Sequence, residues 1–282
     1  MSDLARPPES PAQKILRPLL YVVPVAFIGA IVAFFLHAKP PALDDNLCPK
    51  DSPPTQKTIL LLDVSDPLTP KHRAELERIV SELQRPGSTP DAMNPYVAPG
   101  EELIVYQLAA DWQDLKPAIR VCNPGNNPDD WNWGKDLTQG KAFARHNWQR
   151  FEEKIKQMFP DKSSGEMPRS PILESLSVIV PRHAPSKRDL PPGGASHTHL
   201  ILFSDLLQHS DSLSHYEPYP KAEDFLDTPK LRELATDLTR VRVTIFRLER
   251  SKYSNWQTVD HYYWWPKLIK EFKGKVRWHE SV

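Results

Sequence analysis

Lys57-Thr-Ile-Leu-Leu-Leu-Asp-Val-Ser-Asp-Pro-Leu-Thr-Pro70 is the stretch whose reading decides the fold. The unbroken β-compatible apolar run from Ile59 to Leu62 reads as a strand buried on both faces. Asp63, Ser65 and Asp66 crowd its carboxyl end, the end at which open α/β sheets bind ligands. Thr69 then offers its hydroxyl as a helix cap, Pro70 suits the first helical position, and Leu76, Ile79, Val80 and Leu83 recur at helical spacing. Strand, acidic hydroxyl-bearing loop and helix follow one another without a gap.

The same alternation continues downstream. Strands are expected over 103–108, 116–122, 198–203, 242–248 and 275–278, separated by a Pro/Gly-rich loop at 86–100 and a polar, turn-forming stretch at 123–140. Helices are expected around Phe151, Ile155, Met158 and Phe159; after Ser170-Pro171, where cap and proline recur; after Thr228-Pro229 with Leu231, Leu234 and Leu238; and from Trp256 to Phe272. Strands alternating with helices predict an α/β domain whose sheet is largely parallel and covered on both faces.

Working outward to the amino terminus, residues 18–36 are almost uninterrupted apolar sequence, long enough at about 1.5 Å per residue to reach roughly 28 Å. This predicts a membrane span over 18–37, after a tail over 1–17 and before a Pro-rich, acidic spacer over 38–56, with the α/β domain filling 57–282. Arg6, Lys14 and Arg17 precede the span, and Asp44 and Asp45 follow it, so the tail is expected in the cytoplasm and the domain outside, as in a single-pass inner-membrane protein with a periplasmic domain. The chain has two cysteines, both beyond the span, and an even count in an oxidising compartment predicts a Cys48–Cys122 disulfide. With 36 basic and 36 acidic side chains there is no charge bias toward nucleic acid.

The strand ending in Ser204 and Asp205 repeats the chemistry of the strand ending in Asp63. If the two are neighbours, Asp63, Ser65, Ser170 and Asp205 converge as an all-oxygen set, the donor type for Mg²⁺ or Mn²⁺. On these residues the chain resembles the von Willebrand factor A-like family, and the wording Leu-Leu-Asp-Val-Ser-Asp-Pro-Leu-Thr is similar to that of membrane-anchored bacterial proteins with such a domain. The resemblance implies a Rossmann-like three-layer sandwich with a mainly parallel six-stranded sheet. It also implies a metal-ion-dependent adhesion site built from Asp63, Ser65, Ser170 and Asp205, and protein partners in a membrane-associated assembly. Two positions depart from that pattern: Pro67 lacks the third hydroxyl of the Asp-x-Ser-x-Ser loop, and Leu206 stands where a glycine is usual.

Other residues invite other chemistry. A strand ending in Asp63 also resembles the nucleophile loop of haloacid-dehalogenase-like phosphatases, which makes a hydrolase the alternative reading, although Ser65 replaces the second acid of that motif. No phosphate-binding Gly-rich loop or catalytic Gly-x-Ser-x-Gly appears, so no enzyme is expected. Asp66, Trp131 and Trp133 are candidates for partner contact. His197, His199, His209 and His215 are read as strand-entry and loop residues rather than zinc ligands.

Overall fold

The computed structural model describes residues 23–31, 42–52, 54, 56–85, 96–125, 141–159, 167–184 and 198–282. Within the predicted span, residues 23–31 are helical; the rest of 18–37 lies outside the described residues, as do Trp131, Trp133 and His197. Among the described residues no helix is long and apolar enough to cross a membrane.

The main unit is built on a six-stranded sheet: β1 Lys57–Leu62, β2 Glu102–Gln107, β3 Ile119–Cys122, β4 Thr198–Ser204, β5 Val241–Arg247 and β6 Lys275–Ser281, in spatial order β3-β2-β1-β4-β5-β6. All neighbours pair parallel except β3, which runs antiparallel to β2 at the edge. Among the described residues four helices longer than three turns accompany it: α1 Pro70–Gln84, α2 Lys141–Lys156, α3 Ile172–His183 and α4 Val259–Glu271. Side chains alternate across a strand, and here both alternating sets are apolar. Ile59 and Leu61 join Ile104, Leu200 and Val243 in a core shared with Leu176 and Ile179 of α3 and Trp265 and Leu268 of α4. Leu60 and Leu62 join Val105, Ile201 and Phe203 in a second core with Leu76 and Ile79 of α1 and Phe151 and Ile155 of α2. The result is an α/β sandwich of three layers.

This strand order reverses direction between β1 and β4. Chains leaving those two strands diverge to opposite sides and open a crevice at their carboxyl ends, which is the switch point where doubly wound sheets place their sites. Asp63 follows β1 and Asp205 follows β4, so the two acids flank that point.

Several elements differ from the sequence expectation, each for a local reason. β3 begins at Ile119 rather than near 116 because Pro117 has no N–H for the ladder. The helix expected after Thr228 is one turn, Pro229–Arg232, although Leu231, Leu234 and Leu238 are buried as their spacing required. Beyond it Thr239 bonds Asp237 through both N–H (3.0 Å) and Oγ1 (2.5 Å), a side-chain turn that competes with helical pairing. Helix α4 starts at Val259, capped by Thr258, and a short 3₁₀ turn at Ser251–Tyr253 precedes it.

Cys48 and Cys122 form a disulfide with Cα atoms 4.9 Å apart. It draws part of the expected spacer onto the domain. Asp44 Oδ1 accepts from the amides of Asn46 and Cys48 (both 2.8 Å), the Cys122 N–H donates to Asn46 O (2.8 Å), and Leu47 is fully buried. Residues 42–50 are thus a docked turn at the amino end of the parallel strands.

Candidate functional site

Asp63 is placed by the end of β1, where its N–H still donates to Phe203 O across the sheet (2.9 Å), leaving its carboxylate at the floor of the crevice, 1% exposed. A buried carboxylate is costly unless donors surround it. Four do. Ser65 supplies its N–H (3.0 Å) and Oγ (2.5 Å) to Oδ1, while Ser170 Oγ (3.2 Å) and Ser204 Oγ (2.6 Å) donate to Oδ2.

Ser170 reaches this cluster because it is not a cap. The Ser170-Pro171 pair reads as a helix start, yet α3 has no side-chain cap and begins at Ile172. Ser170 instead bridges to His209 through both backbone bonds (2.9 Å each), which lays it against the loop after β4 and frees its hydroxyl for Asp63. By contrast Thr69 does cap α1, in a reciprocal capping box with His72.

Asp205, 2% exposed, is held differently. Its Oδ1 accepts from the Leu207 N–H (3.0 Å), and Arg250 Nε stands 3.0 Å from Oδ2, an ion pair whose two side chains are 8% and 3% exposed. The Nε geometry is that of a charge contact rather than an aligned hydrogen bond. The other guanidinium nitrogens donate to the loop after β1: Nη1 to Pro67 O (2.9 Å) and Nη2 to Asp66 O (3.2 Å). Burial first, and then the charge of Asp63, push the Asp205 carboxyl up to about 7 against the opposing pull of Arg250.

Leu206 adopts φ 64°, the left-handed region that a bulky side chain enters only under constraint. This is the position where the resembled family has glycine. Here the strain is held by a fully buried side chain and by a carbonyl that accepts from Trp265 Nε1 (2.8 Å) and the Gln208 N–H (3.0 Å), with His261 Nε2 at 3.1 Å.

Around the crevice mouth Tyr216, Tyr253 and Trp256 pack edge to face, with centroids 5.7, 5.2 and 6.2 Å apart. Tyr253 also bonds the Asp66 carboxylate, which lies 4.0 Å from Lys252 Nζ. Burial and the neighbouring acids Asp205 and Asp66 raise the Tyr216 hydroxyl, so it remains protonated.

Asp63, Ser65 and Ser170 are therefore joined by direct bonds, Asp205 belongs to the same crevice, and Asp66 sits on its rim. Sequence reasoning left Ser204 out of the site, although it adjoins Asp205 at a strand end. It missed Arg250 entirely, for which nothing local gives a signal.

For a divalent ion the donor set is incomplete. Pro67 contributes a carbonyl rather than a hydroxyl, that carbonyl is engaged by Arg250, and a second cation beside a buried guanidinium meets strong repulsion. Among the described residues no group of three or more His, Cys, Asp or Glu is placed to hold a metal. As arranged, the serine hydroxyls are turned to Asp63 and Arg250 stands beside Asp205, so Mg²⁺ or Mn²⁺ would have to displace these contacts.

No protein-family model matches the chain, and no curated protein matches it. Among solved structures it is similar to the crystal structure of the SpRpn10 VWA domain, with 9% sequence identity, a TM-score of 0.32, and 80% of this chain and 87% of that chain covered. So loose a likeness carries no weight for function, and the fold assignment rests on strand order and core instead.

Proposed function

We propose that this chain is a membrane-anchored protein-interaction module with a von Willebrand factor A-like domain, whose partner docks on the rim of the carboxyl-edge crevice. One observation carries the reading: Asp63, Ser65, Ser170 and Asp205, three of them from separate loops, converge at the β1/β4 switch point, the place the family resemblance assigns to partner recognition. The rim adds Tyr216, Tyr253 and Trp256, residue types that dominate binding energy at protein interfaces.

Anchoring is supported by the length of the apolar run and by the exposed Val25 (69%) and Phe27 (67%) of the helix at 23–31, side chains suited to lipid. The disulfide favours an oxidising compartment for the domain, outside the cytoplasm. The hydrolase alternative requires Asp63 to attack a substrate, and a carboxylate that is 1% exposed with four donors on it is poorly placed to do so.

The test is photo-crosslinking from position 256 in intact membranes. A discrete adduct that disappears when Tyr253 and Tyr216 are both replaced by alanine supports the rim as the docking face. Adducts unchanged by those substitutions, or phosphate release abolished by Asp63→Asn, would overturn it. Protease added to spheroplasts should digest the domain; protection until lysis would reverse the topology.

A further inference from the structure

Among the described residues the crevice holds two buried carboxylates, Asp63 and Asp205, and a buried cation in contact with the second, Arg250, which is part of the chain. We propose that Arg250 is the resident cation of this site, joining the loop after β4 to the loop after β1 where the resembled adhesion sites use a divalent metal. Independently of any partner, this rests on what the guanidinium touches.

Its three nitrogens span two segments. Nε faces the Asp205 carboxylate at 3.0 Å, Nη1 donates to Pro67 O at 2.9 Å, and Nη2 donates to Asp66 O at 3.2 Å. A planar fork of fixed donors makes such a bridge at once, whereas a lysine ammonium is a point charge that reaches fewer acceptors. Pro67 is consistent with the exchange: the residue that lacks the metal-binding hydroxyl is the one whose carbonyl the guanidinium takes. The arginine is also positioned from behind. Its own N–H donates to Gln257 Oε1 (2.8 Å), and Gln257 Nε2 donates to Leu248 O (2.7 Å) and Asp205 O (3.2 Å), so one glutamine ties the backbone of the cation to that of the anion. Lys252 in the same loop is a different case, with a side chain 59% exposed and only a 4.0 Å approach to Asp66.

The acid cluster then needs no metal. Asp63 is satisfied by hydroxyl and amide donors, Asp205 by the guanidinium, and the crevice stays assembled in the presence of chelator.

The experiment uses the full chain in mild detergent at a pH near 8, following melting and titrating Mg²⁺ or Mn²⁺ by calorimetry. The wild type should give no binding heat and no change in melting temperature at millimolar metal. Arg250→Ala should melt roughly 10 °C or more lower, because it strands a buried charge, and should regain part of that loss in millimolar Mn²⁺. Arg250→Lys should fall between. Adding Asp205→Asn to Arg250→Ala should recover most of the loss without metal.

Wild-type protein that binds Mg²⁺ or Mn²⁺ in a manner removed by Asp205→Asn would overturn the proposal. So would an Arg250→Ala variant that melts like wild type, one that stays deaf to both metals, or a double variant no more stable than the single. If Arg250→Ala does not fold, the wild-type titration and Arg250→Lys still decide.

Discussion

The two ends of the parallel sheet are fastened by opposite chemistry. At the amino end a covalent bond, Cys48–Cys122, pins a buried turn to β3, with backbone bonds and the Asp44 carboxylate around it. At the carboxyl end the loops after β1, before α3, after β4 and after β5 meet through buried charge and hydroxyls as well as backbone bonds: Asp63 against three serines, Asp205 against Arg250. The difference teaches that the amino end should respond to redox conditions, while the carboxyl end, where Asp205 is raised to about 7, should respond to pH near neutrality. It also explains why the functional candidates lie at the polar end, since a cluster of charges can be altered by a ligand and a disulfide-stapled turn cannot.

The largest expected effect breaks the amino end. Replacing both cysteines by serine opens a loop of 74 residues and should lower stability by about 4 kcal/mol in the chain-entropy account. Urea denaturation with and without reductant reads this. The pH profile of the reduced protein should keep the shape of the oxidised one; a changed profile would mean the two ends are coupled.

Next in size, Asp63→Ala leaves Ser65, Ser170 and Ser204 without their buried acceptor and should cost about 3 kcal/mol, measured as a shift in the urea midpoint. Ser170→Ala, which removes one of the four donors, should cost about 1 kcal/mol. Equal losses would mean that the cluster does not centre on Asp63.

A smaller effect follows from Asp205, faced by Asp63, Asp66, Arg250 and Tyr216. Its folded-state value is raised to about 7, above the ordinary carboxyl value, so the folded chain holds the proton more tightly than the unfolded one. Its contribution is complete below the unfolded value and is lost as pH rises through about 7. Melting temperature should therefore fall between pH 5 and pH 8 by a component absent in Asp205→Asn. Carboxyl NMR should find Asp205 titrating near 7; a value near 4 would show the ion pair outweighing burial.

The smallest is Leu206→Gly. It relieves the positive φ, a strain of roughly 1–2 kcal/mol, but removes a fully buried side chain of somewhat larger value, so stability should drop by about 1 kcal/mol. A gain would mean the strain outweighs the packing.

Much of this was legible in the chain. Ile59–Leu62 predicts a strand buried on both faces because every residue is apolar, and both faces are indeed packed. Thr69-Pro70 predicts a capped helix start, and the cap is there, since that signal is local. Ser170-Pro171 carries the same local signal and is not a cap, because the backbone bridge to His209 outcompetes it. Local signals hold until a tertiary bond of similar strength intervenes.

The sequence by itself determined the α/β alternation, the two acids at strand ends and the cysteine pair, all of which depend on residues close in the chain or on an even count of thiols. Only the tertiary structure decided that β1 and β4 are neighbours, that Ser170 turns inward and that Arg250 supplies the cation. Asp205 and Arg250 follow different strands, and no periodicity or motif encodes which distant charge will neutralise a buried acid. That choice is made when the core packs, because burying a carboxylate without a partner costs more free energy than the fold has to spare.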